Sequence, residues 1–111
     1  MAARYVPDRG DVVWLDFDPQ IGHEQAGRRP AVVLSPQAYN RASGLALMCP
    51  MTSQIKGYPF EVLIAPAPQP SAVLADQIKC LDWVGRKATR KGRVSADQLA
   101  QIQALCKGLI G

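Results

Sequence analysis

No apolar run in this chain approaches the ~18 residues needed to cross a bilayer. The opening Met1-Ala2-Ala3-Arg4-Tyr5-Val6-Pro7 has no apolar stretch long enough for a signal peptide. A cytoplasmic chain with no membrane association is therefore expected. There is one histidine, His23, and the three cysteines Cys49, Cys80 and Cys106 form no C-x-x-C pair. That set cannot build a usual zinc site, so no metal and no other cofactor is expected. It also excludes a two-imidazole acid–base pair within one subunit. An odd cysteine count argues against a disulfide framework, and each cysteine sits among apolar neighbours, so reduced core thiols are expected. No internal repeat is visible. Low complexity is confined to Ala65-Pro66-Ala67-Pro68-Gln69-Pro70, which must be a surface loop, since alternating prolines cannot enter a sheet interior.

The chain does have enough apolar residues for a core. Residues 1–111 are short enough for one domain, and a hydrophobic fraction of 48% excludes disorder as the default. The net charge of +4 makes an anionic partner plausible. Arg86, Lys87, Arg90, Lys91 and Arg93 crowd one short stretch. That stretch reads either as a solvated edge or as a landing strip for phosphates, and charge by itself favours neither.

Alternation predicts a strand over Asp11–Phe17, with Val13, Leu15 and Phe17 opposed to Val12, Trp14 and Asp16. Residues 18–29 are polar, contain Gly22 and Gly27, and read as a long loop. Ala31-Val32-Val33-Leu34 is a short buried-type strand, and residues 36–43 can form one or two helical turns before Gly44. Strands are also expected over 45–51, 60–64 and 72–83, the last with a bend near Asp76, and a short charged one within 84–94. Pro50 places its strand's end near an edge or bulge. Ser95-Ala96-Asp97-Gln98 is a capping box, with Val94 and Leu99 spaced for the hydrophobic staple. Leu99, Ile102, Leu105, Cys106, Leu109 and Ile110 then recur at helical spacing. Many short strands and one terminal helix predict a strongly bent antiparallel sheet or small barrel, whose chemistry belongs on its loops.

Three segments carry candidate chemistry. Residues 22–35 place Glu24, Arg28 and Arg29 in a glycine-flanked loop entering a buried strand. An arginine there can grip a phosphate bidentately, although exposed loop arginines are common. Residues 50–60 set the hydroxyls of Thr52 and Ser53 at the mouth of a strand with Lys56 nearby. A Thr-Ser pair there is also ordinary turn chemistry. Residues 74–79 put Asp76 and Gln77 beside a bend, followed by Lys79. The acid and amide can read base edges or simply form the bend.

The ordered runs Glu24-Gln25-Ala26-Gly27-Arg28-Arg29-Pro30-Ala31-Val32-Val33-Leu34-Ser35-Pro36, Lys56-Gly57-Tyr58-Pro59-Phe60-Glu61-Val62 and Leu74-Ala75-Asp76-Gln77-Ile78-Lys79 resemble the signature of the MazF/PemK/Kid toxins, nearest the MazF branch. So does the opening Arg4-Tyr5-Val6-Pro7-Asp8 with Gly10, Asp11 and Trp14. The likeness covers nearly the whole chain. His23 and the proline-rich loop depart from the family pattern, and His23 is given no role.

The resemblance implies a mainly β, SH3-like barrel of the CcdB/Kid toxin type with a C-terminal α-helix. It implies a homodimeric, sequence-specific, ribosome-independent endoribonuclease that cuts single-stranded mRNA, inhibiting translation and growth. It further implies a cognate MazE-like antitoxin whose acidic C-terminal tail covers the RNA groove. Arg29 and Thr52 fall on the family's catalytic arginine and threonine, and Glu24 on a loop acid linked to activity. The reaction so implied needs no metal. The ribose 2′-OH attacks the adjacent phosphate, leaving 2′,3′-cyclic phosphate and 5′-OH ends.

Glu24 is a chemically reasonable base, whereas Arg29, with a pKa above ~12, is a poor one. RNA contact is expected from Phe17, Arg28, Ser53, Lys56, Asp76, Gln77, Lys79 and Arg86. Phe17 can stack on a base or face the core in register with Val13 and Leu15. The rival readings are a non-catalytic CcdB-like toxin that binds a protein such as gyrase, and an RNA-binding module that leaves RNA intact.

Overall fold

The computed structural model describes residues 4–16, 27–64 and 69–111. The elements run β1 (Asp11–Asp16), β2 (Arg28–Val33), α1 (Gln37–Ser43), β3 (Leu45–Thr52), β4 (Glu61–Ile64), β5 (Ser71–Leu74), β6 (Lys79–Asp82), β7 (Thr89–Arg93) and α2 (Ala96–Ile110). The strands form one curled antiparallel sheet in the order β4-β5-β3-β2-β1-β7, with β6 also on β3. The fold is thus mostly β, a half-barrel with a C-terminal helix. Strand β2 begins at Arg28, earlier than loop composition suggests, because the β1 ladder extends to Asp16↔Arg28 and fixes the backbone there.

Strand β3 organises the sheet by taking two partners along one edge. Its first half pairs with β6 from Leu45↔Asp82 to Met48↔Lys79, and its end pairs with β5 at Met51↔Val73 and Thr52↔Ala72. Three steps along β3, from Met48 to Met51, match six along the partner edge, from Lys79 to Val73. The surplus is taken up by a turn at Ala75–Asp76, closed by Gln77 N donating to Leu74 O at 3.1 Å. This is the bend expected near Asp76. Pro50, which has no N–H, sits in the interval where β3 changes partner rather than at the strand's end.

Both faces of the sheet are covered. On one, Val12, Val32, Cys49, Met51, Val62 and Val73 pack with Ile102 and Cys106 of α2. On the other, Val13, Leu15, Ala31, Val33, Met48 and Trp83 form a second cluster, flanked by Tyr5, Val6 and Leu81. The alternation along β1 therefore sorts two cores, with Val13 and Leu15 opposed to Val12. Helix α2 starts as its sequence demands. Ser95 Oγ accepts from Gln98 N at 3.1 Å, Gln98 Oε1 accepts from Ser95 N at 2.9 Å, and Val94 and Leu99 join the same cluster. Its apolar stripe is only partly buried, since Leu109 and Ile110 in the last turn are 52% and 75% exposed.

Two buried polar centres hold the loops. Asn40, fully buried, donates to Pro7 O (2.8 Å) and Ser35 O (3.0 Å), accepts from Ser35 Oγ, and its carbonyl accepts from Trp83 Nε1 (2.9 Å). Asp11, also buried, accepts from Tyr5 Oη (2.6 Å), Asp8 N (3.0 Å) and Arg93 Nη1 (2.8 Å), so its charge is both paired and hydrogen-bonded. Cys49 and Cys106 are buried thiols with their sulfurs 3.9 Å apart. Burial raises both above the ordinary thiol range. Cys80 departs from the expected core position. It is exposed on the short strand β6, whose apolar inward residue is Leu81.

Candidate active site

The last residue pair joining β2 to β3 is Ala31↔Pro50. Two residues beyond it lie Arg29 on β2 and Thr52 on β3. Because side chains alternate, each shares the face of its i±2 neighbour, so both belong with Ala31 and Met48 on the face opposite α2. The Arg29 side chain is exposed, and its backbone is held by pairing with Leu15 on β1. Thr52 is half-buried and paired with Ala72. Its Oγ1 accepts from Gln54 N at 3.0 Å, which orients the hydroxyl and leaves its proton to donate outward.

Thr52 opens onto a groove of about 170 Å³ lined by Thr52, Gln54, Lys56, Tyr58, Glu61, Leu74 and Gln77. The strand register explains most of this wall. Glu61 pairs with Leu74 across β4 and β5, and Leu74 lies on the same face as Ala72, the partner of Thr52. The loop after β3 supplies the rest. Its turn is set by Gly57, whose φ of +81° favours glycine. The Glu61 carboxylate accepts from both Lys56 N and Gly57 N, which fixes where the Lys56 side chain departs. Tyr58 Oη donates to Asp76 Oδ1 at 2.7 Å, tying this loop to the β5–β6 turn. That hydrogen bond, ahead of any other cause, raises the Tyr58 pKa and keeps its hydroxyl protonated.

The structure thus brings Thr52, Lys56 and Gln77 to one groove, with Asp76 at its edge through Tyr58. Ser53 is exposed beside them, and Lys79 is exposed on β6 beyond the bend. Glu24 and Phe17 lie outside the described residues. Arg28, expected on the RNA side, is exposed at the start of β2. Its guanidinium donates through Nη1 to Asp16 Oδ1 and through Nη2 to Trp14 O, Lys87 O and Thr89 Oγ1, while the side chain stays 36% exposed. Arg86 is half-buried and donates through Nη1 to Asp16 O at 2.9 Å. In the basic stretch, Arg93 is likewise committed to Asp11, and the Lys91 ammonium lies 5.3 Å from the Trp14 ring centroid.

Sequence reasoning assigned no role to Gln54, Tyr58, Glu61 or Leu74. The available signal was Gly57, which marks a turn that something must anchor, and Glu61 four residues later at the strand's start. Among the described residues, no group of three or more His, Cys, Asp or Glu is placed to hold a metal, and no helix is long and apolar enough to cross a membrane.

Residues 8–109 match the family model described as PemK-like, MazF-like toxin of type II toxin-antitoxin system. The chain is 52% identical over 111 residues to the endoribonuclease toxin MazF of Escherichia coli K12, covering all of both chains. It is 36% identical over 100 residues to the endoribonuclease toxin ChpB of the same strain, covering 85% of this chain and 84% of that protein. Among solved structures, MazF from Deinococcus radiodurans superposes with a TM-score of 0.87 at 50% identity, covering 97% of this chain and 99% of that one. A MazE–MazF complex from the same organism gives 0.86 at 46% identity, covering 97% and 98%. With its curled sheet, its terminal helix and its full-length likeness to these relatives, the chain belongs to the PemK-like, MazF-like toxins of type II toxin–antitoxin systems.

Proposed function

We propose that this chain is the endoribonuclease toxin of its pair and cuts single-stranded RNA by transesterification. The observation that carries this reading is that Arg29 and Thr52 share one face of the sheet, two residues past the last β2–β3 pair, with Thr52 lining the groove that holds Lys56 and Gln77. The ribose 2′-OH gives up its proton to the base and attacks the adjacent phosphate in line, the P–O5′ bond breaks, and the 5′-oxygen takes a proton from water, so the products carry 2′,3′-cyclic phosphate and 5′-OH ends. Arg29 neutralises charge building on the phosphorane-like transition state, and the outward Thr52 hydroxyl donates to a non-bridging oxygen. Glu24 is assigned the base on chemical grounds and by resemblance, since a guanidinium does not release a proton near neutral pH. No metal is required by this scheme. DNA can bind but lacks the nucleophile.

Lys56, Ser53 and Lys79 hold the RNA backbone, Asp76 and Gln77 read base edges, and Phe17 stacks on a base. The antitoxin is MazE-like with an acidic tail that competes for this groove. The net charge of +4 and the likeness to chains solved as MazE–MazF complexes support it. The exposed Leu109 and Ile110 support a homodimer, because apolar side chains at the end of a helix favour a second copy over water. The 111 residues act as one cytoplasmic domain. A toxin that only binds a protein target has no use for a phosphate site, so that alternative is not favoured.

The test incubates purified protein with a long single-stranded RNA in excess EDTA, beside Arg29→Ala and a DNA of the same sequence. Site-limited cuts with 5′-OH ends, absent from the DNA and slowed by on the order of 10²–10³-fold in Arg29→Ala, are the expected result. Intact RNA with folded protein overturns the reading.

A further inference from the structure

Arg28 and Arg29 are consecutive on β2, so their side chains leave opposite faces of the sheet. Arg28 faces four acceptors from three parts of the chain. They are Asp16 Oδ1 (3.1 Å) and Trp14 O (3.0 Å) on β1, Lys87 O (2.6 Å) in the turn before β7, and Thr89 Oγ1 (3.0 Å) on β7 itself. Lys87 is the one non-glycine residue with positive φ among those described, at +57°, and Arg28 holds its carbonyl. Asp16 is tied to the same turn independently. Its N–H donates to Arg86 O at 2.9 Å, and its carbonyl accepts from Arg86 Nη1 at 2.9 Å. Asp16 and Arg28 are the terminal pair of the β1–β2 ladder, and the next pair is Leu15↔Arg29.

We propose that Arg28 is a positioning residue for the cleavage reaction. By locking the first residue of β2 to β1 and to the 86–89 turn, it fixes the backbone from which the Arg29 guanidinium is aimed, and it makes no contact with RNA. The inference rests on the nuclease reading above. A planar fork suits this task because it meets several acceptors at once from a fixed plane. A lysine ammonium can replace the charge without replacing the geometry. Misplacing a catalytic group by about 1 Å can cost on the order of 10²-fold in rate.

The test compares Arg28→Gln, Arg28→Lys, Arg29→Ala and the Arg28→Gln/Arg29→Ala double variant. Single-turnover cleavage of a labelled single-stranded RNA gives the rate. Binding of the same oligomer with 2′-deoxyribose throughout, over a range of salt, gives the slope of log K against log salt. Both Arg28 variants are expected to cut about 10- to 100-fold more slowly with KM little changed. The salt slope is expected to match wild type, and Arg28→Gln should cost nothing further once Arg29 is gone. A slope smaller by about 0.7, the value for one lost single-strand phosphate contact, overturns the inference. So does wild-type cleavage by Arg28→Lys, or an equal loss in both Arg29 backgrounds. Should Arg28→Gln not fold, Thr89→Val removes one acceptor and no charge, and it should slow cleavage several-fold without moving the slope. Wild-type protein that leaves RNA intact defeats the nuclease reading itself, an outcome distinct from all of these.

Discussion

The Glu61 carboxylate accepts the backbone N–H of Gly57 at 2.7 Å and that of Lys56 at 3.1 Å, so the first residue of β4 anchors the loop that walls the groove. Glu61→Ala frees that loop and the departure point of Lys56. The expected outcome is a several-fold rise in KM for RNA with a smaller change in kcat, since the loop binds substrate rather than reacts. Steady-state cleavage with a labelled oligomer checks it, and an unchanged KM would remove Glu61 from the account.

Thr52 has two tasks, one structural and one chemical. Its oxygen accepts from Gln54 N, which leaves its proton available to donate. Thr52→Val keeps the shape and loses both. The loss of one transition-state donor predicts a fall of ~10²–10³ in kcat, with about 1 kcal/mol of stability lost. Thr52→Ser should recover most of the rate. Cleavage rates and urea melts on the two variants separate the effects.

Asn40 holds Pro7 O, Ser35 O and Ser35 Oγ with one buried amide. Asn40→Ala strands those groups away from water, at about 1–3 kcal/mol for each unsatisfied one, so a total loss of a few kcal/mol is expected. Asn40→Asp keeps the acceptor but loses the donors and should be at least as damaging. Urea unfolding measures both, and a midpoint near wild type would refute the estimate.

Burial raises the pKa values of Tyr5, Cys49 and Cys106, and for Tyr5 the hydrogen bond to Asp11 adds to it. The folded protein therefore keeps protons that the unfolded chain releases above the ordinary values of 9.0 for cysteine and 10.0 for tyrosine. The stabilisation is fully present below about pH 9 and is lost as pH rises beyond it. Stability should fall steadily from pH 9 to pH 11, less steeply in Cys49→Ala. In the same window Cys80, which is exposed, should be alkylated well before Cys49 and Cys106. Equal alkylation of all three thiols would contradict this burial pattern.

The terminal helix and its cap were legible from residue types and spacing alone, because a capping box is a local interaction closed within four residues. The bend at Asp76 and the two-sided alternation of β1 were legible for the same reason. Residue order and family resemblance also pointed to Arg29, Thr52, Lys56 and Gln77. Three things were decided only by tertiary structure. Arg28 meets acceptors on β1 and β7 that lie about 12 to 61 positions away in sequence, a distance no local pattern encodes. Cys80 became exposed because strand β6 is short and lends its inward position to Leu81. Glu61 and Tyr58 joined the groove because β3 changes partner midway, which swings the β5–β6 turn and the loop after β3 to the same wall. Local chemistry fixes which segments form, and long-range register fixes which side chains meet.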